Sequence, residues 1–219
     1  MPKEKHMKKI IIVGAGGHAA ELRDYITYIN KTSGINLEIE GFLDDDEEAY
    51  NAYDYSEPFL GTISAHVTRK DVDYLMGIAN IKYRRPIIER FEGDGATFTG
   101  LIHPTALISP SAKIGKGVII SHNSSLGPKV VIGDHNILNS RCTIGHDTVI
   151  GSFNFISPQV ALSGHTIIGD ENMIGVNSCT IPGIKVGSNN VIAAGTIIFK
   201  QVGDGQTLIN RFNERIIQK

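Results

Sequence analysis

Residues 141–151 read RCTIGHDTVIG, and within them His146 and Asp147 are two ionisable side chains set in a run of small and aliphatic residues. An imidazole with its ordinary pKa near neutrality can take the proton from an amine or hydroxyl as that group attacks an acyl carbon. A neighbouring carboxylate can orient the ring and stabilise the imidazolium that forms. The pair therefore reads either as a general base with its partner or as a solvated turn of a structural scaffold. A second stretch, GAGGHA (14–19), follows the apolar run IIIV and precedes a helix-like pattern, the context in which backbone N–H groups hold phosphate. An NAD site would place an acid about twenty residues beyond such a turn. Asp44 and Asp45 lie further on, which weakens a redox reading. Cys142 and Cys179 suggest an acyl-enzyme nucleophile at first sight, but both fall where packing residues are expected.

The element that must position His146 is a repeat. Every sixth residue from 108 to 198 is aliphatic at fifteen of sixteen positions, Thr180 being the exception. Four residues after each comes a mostly small side chain (Ala112, Val118, Ser124, Cys142, Thr148 among them), and Gly follows at 115, 127, 133, 145, 151, 169, 175 and 187. A six-residue period predicts a β-solenoid in which the aliphatic residue points inward, the small residue fits the narrow interior, and Gly relieves the backbone at the bend. A helix would need a period near 3.6, which is absent.

Before residue 101 the pattern is different. KKIIIV, LEIEGFLDDD and DYLMGIAN read as strands. HAAELRDYITYIN and IKYRRPIIERFEG read as helices, the second accommodating Pro86 only in its first turn. DDDEEAYNAYDYSEP reads as an exposed acidic loop. This β-α-β alternation predicts a small Rossmann-type parallel sheet. The expected organisation is thus α/β plus all-β: a Rossmann-like domain over 1–100, a parallel β-helix over 101–203 and a tail over 204–219, with MPKEKH as a leader.

The 219 residues carry a net charge of −2 without a polybasic run, which argues against nucleic acid as a partner. No apolar stretch reaches membrane-spanning length, and two cysteines in no disulfide or zinc spacing fit a reducing cytoplasm. His103 reads as structural, and His122, His135 and His165 as exposed turn residues. Zinc held by three histidines, as in gamma-type carbonic anhydrases, needs two of them close together, and the nearest pairs here are His135–His146 and His122–His135. No metal is expected.

IIIVGAGGHAAELRDYI, GFLDDD, YLMGIANIKYRRPI, LIHPTALISPSAKIG, IGHDTVIGSF and IGVNSCTIPGIKVG, in this order, resemble the bacterial sugar O- and N-acyltransferases of the sialic acid O-acetyltransferase type, which include acetyltransferases for nucleotide-linked 4-amino sugars. The resemblance implies a Rossmann-like domain on a left-handed β-helix, a homotrimer, and direct acyl transfer from acetyl-CoA. It implies His146 as base and Asp147 as its partner. It implies Gly164 as an N–H donor to the thioester carbonyl, and Val176, Ala194 and Gly195 along the pantetheine arm. It implies a nucleotide-sugar site built from Gly14, Gly16, Gly17, His18, Asp44, Asp45 and Asn80, completed by Arg84 and Arg85, which read equally as a solvated helix face.

Two positions depart from the family pattern. A second His often follows the catalytic one by nine residues, and here Phe155 stands in that donor-side place. The usual Gly-x-Pro-Ala ending is replaced by INRFNERIIQK (209–219). The leading expectation is N-acetylation of a nucleotide-linked amino sugar in glycan or polysaccharide synthesis. The alternatives are O-acetylation of a sugar such as sialic acid, and a β-helix that binds a nucleotide sugar with a degenerate donor site.

Overall fold

The computed structural model describes residues 8–210. Strands β1 (Lys8–Val13), β2 (Leu37–Leu43), β3 (Asp73–Met76) and β4 (Thr97–Phe98) form one parallel sheet in the order β2-β1-β3-β4. Alternation along β1 sorts the two cores. Ile10 and Ile12 pack with helix α1 (Gly17–Thr32), whereas Ile11 and Val13 pack with helix α3 (Ile81–Gly93). The acidic stretch expected as a loop contains a short helix, α2 (Glu47–Asn51). Asp46 caps it by accepting from the Glu48 N–H, and Glu47 and Glu48 suit its N-terminal dipole. Pro86 sits in the second turn of α3, not its first, so one helical hydrogen bond is forgone near the N-terminus, where the helix is still bound by its Asn80 cap.

From β5 (Leu101–Ile102) to β22 (Thr207–Leu208) the chain forms eighteen two-residue strands on three parallel faces of five, six and seven strands. Each residue pairs with the one eighteen further on, as Ile144 does with Leu162. Three hexads make one coil. The inward ladder from Ile120 to Ile198 is no more than 4% exposed at any position. Each fully buried aliphatic side chain contributes roughly 1.5–3 kcal/mol. The final coil is two residues short, pairing Val191 with Thr207, and strand pairing runs to Leu208, past residue 203. The remaining residues of the departing tail, 211–219, and the leader lie outside the described residues.

The glycines have a different purpose from the one the repeat suggested. The left-handed backbone at the corners falls two residues later, at residues such as Asn123, Asp147 (φ 56), His165 (φ 59) and Asn177. Gly145 is required by stacking: a Cβ there would stand 2.5 Å from the Gly164 nitrogen of the next coil. The small inward positions form hydrogen-bonded ladders. Asn136 Oδ1 accepts from Asn154 N, and Asn154 Oδ1 from Asn172 N, so these buried amides are satisfied by the coil above or below.

The seven-stranded face carries the α/β unit. Leu101, Ile119 and Ile137 join the α1 core, with Phe155 packed against it.

Candidate active site

His146 and Asp147 lie at the corner between the six- and five-stranded faces, in the turn joining β12 (Thr143–Ile144) to β13 (Val149–Ile150). His146 Nδ1 donates to Asp147 Oδ2 at 2.8 Å. An ionised carboxylate only accepts, so Nδ1 carries the proton of this bond, and in the neutral ring the lone pair is on Nε2. That hydrogen bond holds the Asp147 carboxyl below the usual carboxylate range, with further help from the charges of His165 and Lys129. The His146 side chain is 59% exposed, open to a substrate.

Eighteen residues on, Gly164 stacks above His146 in the turn after β15 (Ala161–Leu162). A Cβ on Gly164 would lie 2.8 Å from His146 Nε2, so glycine leaves the room that the ring occupies. The Gly164 N–H has no acceptor among the described residues, while its carbonyl accepts from Gly183. A free N–H next to a free imidazole lone pair can stabilise an oxyanion on one side and remove a proton on the other.

His165, expected as a plain turn residue, belongs to this corner. It stands one coil above Asp147, its N–H bonds the His146 carbonyl at 2.9 Å, and its ring meets that of His146 edge to face with centroids 5.0 Å apart. His146, Asp147 and His165 each offer a ligand atom within 4.8 Å of the others, enough to hold a metal ion. The signal in the sequence was the coil length itself, since 165 is 147 plus 18.

A cleft of about 750 Å³ opens at the C-terminal ends of the parallel strands, where ligands of such sheets bind. Gly14, Gly16, Gly17, His18, Asp44, Asp45 and Asn80 all line it. Gly14 needs its positive φ of 104° to turn the chain out of β1. A side chain on Gly16 would meet nothing within 4 Å, so the turn faces open space. His18 has a buried Nε2 with no protein partner. The Asp44 carboxylate is already engaged, accepting from Ala15 N at 2.7 Å and Asp46 N at 3.0 Å, and Asp45 accepts from Ser64 N at 2.9 Å. Both acids thereby shape the cleft wall. A second cavity of about 630 Å³ adjoins it through Ala79 and Asn80 and is walled by Lys82, Phe155, Glu171 and Met173.

Three expected site residues lie elsewhere, and one histidine expected on an exposed turn is buried. Arg84 is neither solvated nor in the cleft: it is 1% exposed, and its Nη2 donates to the carbonyl oxygens of Phe153 (2.6 Å) and Asn154 (3.3 Å) across the joint with the solenoid. Its Nε and Nη1 have no partner, and burial pushes its pKa down to about 10, which still leaves a cation at neutral pH. Arg85 pairs with Glu89 and with Glu171 of the solenoid. Phe155 is on the seven-stranded face, packed towards the α/β unit and away from the His146 corner. His135, expected on an exposed turn, is 3% exposed and stacks on Phe153 beneath α3. Helix α3 therefore runs along the corner between the five- and seven-stranded faces, touching His135, Phe153 and Glu171 in successive coils. Which side of a helix meets a second unit depends on docking, which local pattern does not encode.

Val176, Ala194 and Gly195 share the corner between the seven- and six-stranded faces, with Gly195 N bonded to the Val176 carbonyl at 2.8 Å. The six-stranded face separates them from Gly164. Cys142 is buried, its thiol pushed up to about 12 by desolvation, and is inert as a nucleophile.

Residues 9–91 match the PglD N-terminal domain, 111–146 the bacterial transferase hexapeptide (six repeats) and 165–200 the hexapeptide repeat of succinyl-transferase. A UDP-N-acetylbacillosamine N-acetyltransferase of Bacillus subtilis (strain 168) is 31% identical over 116 residues, which is 52% of this chain and 51% of that relative, so the chain spans about half the length of the curated relative it matches. The acetyltransferase domain of PglB from Neisseria gonorrhoeae FA1090, in complex with acetyl coenzyme A, is 32% identical with a TM-score of 0.80 over 92% of this chain and 95% of that one. A perosamine N-acetyltransferase from Caulobacter crescentus, in complex with CoA and GDP-perosamine, shares the fold at 21% identity, with a TM-score of 0.78 over 92% of this chain and 93% of that one.

Proposed function

This chain belongs to the hexapeptide-repeat acetyltransferases that carry a PglD-type N-terminal domain, and we propose that it transfers an acetyl group from acetyl-CoA to the amine of a nucleotide-linked amino sugar. The observation that carries the proposal is the His146 Nδ1–Asp147 Oδ2 bond with Nε2 left free against Gly164. The relatives support the substrate class: one is a UDP-N-acetylbacillosamine N-acetyltransferase, and the PglB domain binds acetyl coenzyme A.

In this mechanism the amine nitrogen attacks the thioester carbonyl carbon. His146 Nε2 takes the amine proton as the C–N bond forms, and Asp147 stabilises the imidazolium through Nδ1. The Gly164 N–H donates to the carbonyl oxygen as it gains charge. The C–S bond then breaks, the carbonyl re-forms, and the proton on His146 passes to the departing thiolate. The cleft beside α1 and α3 holds the nucleotide, with Gly16 and Gly17 at the N-terminus of α1 facing the diphosphate. The pantetheine arm is assigned to the corner carrying Val176, Ala194 and Gly195 of a neighbouring copy, because on one chain the six-stranded face separates that corner from Gly164.

On one chain the nucleotide cleft opens beside α3, at a different solenoid corner from His146. In the homotrimer proposed here, the base of one copy serves the cleft of a neighbour. Val131, Val149 and Ile167, about two-fifths exposed in a row on the five-stranded face, give that neighbour an apolar surface to bury. No described helix is long and apolar enough to cross a membrane, and the two free cysteines suit a reducing cytoplasm.

The test is release of free CoA from acetyl-CoA with a panel of nucleotide amino sugars, wild type against His146→Ala. Turnover with at least one acceptor and a loss of about 10²-fold or more in the variant is expected. An unchanged variant would remove His146 from the mechanism, and no acetyl-CoA binding would favour a nucleotide-sugar-binding protein.

A further inference from the structure

The single break in the hexad pattern, Thr180, stands one coil above Leu162 and so next to the segment that presents Gly164. On the six-stranded face the residue after each strand donates its N–H to the carbonyl of the coil above. Ser109 bonds Leu126, Gly127 bonds Ile144, Gly145 bonds Leu162 and Ile181 bonds Ile198. Ser163 alone departs from this rule. Its N–H goes to the Thr180 hydroxyl at 2.9 Å, and its own hydroxyl donates to the Thr180 carbonyl at 2.5 Å. The strand register records the same event. Between β15 and β18 (Cys179–Thr180) only Ala161 and Cys179 pair, where every other pairing on this face has two residue pairs. Thr166 closes the arrangement, bonding the Thr180 hydroxyl at 2.9 Å and the Ser163 carbonyl at 2.7 Å. Thr180 is 4% exposed, so a polar group has replaced an aliphatic one in the core at this coil alone.

We propose that the Ser163–Thr180 exchange is a positioning device for the proposed acyl transfer: side-chain hydroxyls replace one rung of the backbone ladder and set the Ser163–Gly164 peptide so that the Gly164 N–H is directed at the acyl oxygen above His146. This rests on the reading of His146 and Gly164 as base and oxyanion donor. Without the exchange, Ser163 N would bond the residue-180 carbonyl as in the other coils, and the peptide that follows would take the ordinary turn orientation. A hydroxyl in a tightly packed aliphatic core also forgoes apolar burial, so the arrangement trades core packing for orientation.

The test is the double variant Ser163→Ala/Thr180→Val, which restores both the aliphatic ladder and the means to re-form the rung. Its kcat is expected to fall by about 10–100-fold, in line with displacement of one oxyanion donor or a misplacement near 1 Å. KM for both substrates stays within about threefold, and the melting temperature holds or rises. A merely structural role would instead lower the melting temperature and leave kcat per folded molecule intact. Full kcat in the double variant, or a loss confined to KM, overturns the proposal while leaving active wild type and inactive His146→Ala to support the reading beneath it. Inactive wild type with every acceptor removes both.

Discussion

Gly164 stacks on His146 so closely that a side chain there would displace the ring: a Cβ would stand 2.8 Å from Nε2 and 2.9 Å from Cε1 of the imidazole. The backbone of Gly164 is not in the left-handed region, so any effect of adding a methyl group there comes from the contact and not from backbone strain. Gly164→Ala is therefore expected to fold and melt like the wild type while its kcat falls by about 10²-fold, because the ring must swing off its Asp147 bond or off the acceptor. Steady-state rates beside a thermal melt check this, and an unaltered kcat would mean that the ring does not act from its present position.

Asp147 gives a prediction about pH. Its carboxyl lies below the ordinary carboxylate range because the His146 ring donates to it. A carboxylate whose folded pKa is lowered contributes stability above its unfolded pKa, and that contribution is lost as pH falls through the lowered value. The carboxylate is thus fully charged at the neutral pH where acyl transfer would run. Asp147→Asn keeps the shape but removes the negative partner of the imidazolium. Its rate should drop by about 10–100-fold, and the acid limb of its rate profile should move to lower pH. A profile of kcat/KM against pH decides this, and a limb that does not move would argue that Asp147 only orients the ring.

Much of this corner could be read from the residues alone, because a solenoid writes its geometry into spacing. The aliphatic hexads fix the inward ladder, and Gly145, His146 and Asp147 then fall in a turn. Adding eighteen to a residue number gives the residue stacked above it, which pairs His146 with Gly164 and Asp147 with His165. The reason for the glycines was less accessible. Gly145 relieves inter-coil contact, whereas the left-handed bend falls on Asp147, a residue type that tolerates it. Arg84 was beyond reach, since three basic residues in IKYRRP present no pattern that says which of them meets Phe153 in another unit.

Arg84 also carries a stability prediction. A buried guanidinium with only two carbonyl acceptors and no carboxylate offsets little of its desolvation cost. Arg84→Met keeps most of the volume and removes the charge, so the melting temperature should hold or rise. Arg84→Ala leaves a cavity and should destabilise by about 2–5 kcal/mol. Denaturant unfolding of both variants tests the pair, and a Met variant as unstable as the Ala variant would show that the carbonyl bonds outweigh the buried charge.

The neighbouring imidazoles make the proposed base vulnerable to a soft divalent ion. His146, Asp147 and His165 converge within 4.8 Å, and two imidazoles with a carboxylate are a familiar donor set for Zn²⁺. An ion held there would compete for the lone pair that the reaction needs and would pull Asp147 away from Nδ1. Added Zn²⁺ should therefore inhibit turnover reversibly, with activity returning on chelation. His165→Ala should raise the Zn²⁺ needed for half-inhibition by about 10–100-fold, since it leaves only one imidazole and the carboxylate. The same variant tests what the edge-to-face contact contributes to the ring, an interaction worth about 0.5–1.5 kcal/mol, or roughly a twofold to twelvefold loss in kcat if the whole of it is spent holding His146 in place. His165→Phe separates the two effects, because it keeps a ring against His146 but offers no metal ligand: it should recover most of the rate and remain resistant to Zn²⁺. Equal Zn²⁺ sensitivity in all three proteins would place the inhibitory ion elsewhere and leave His165 as a contact of the corner alone.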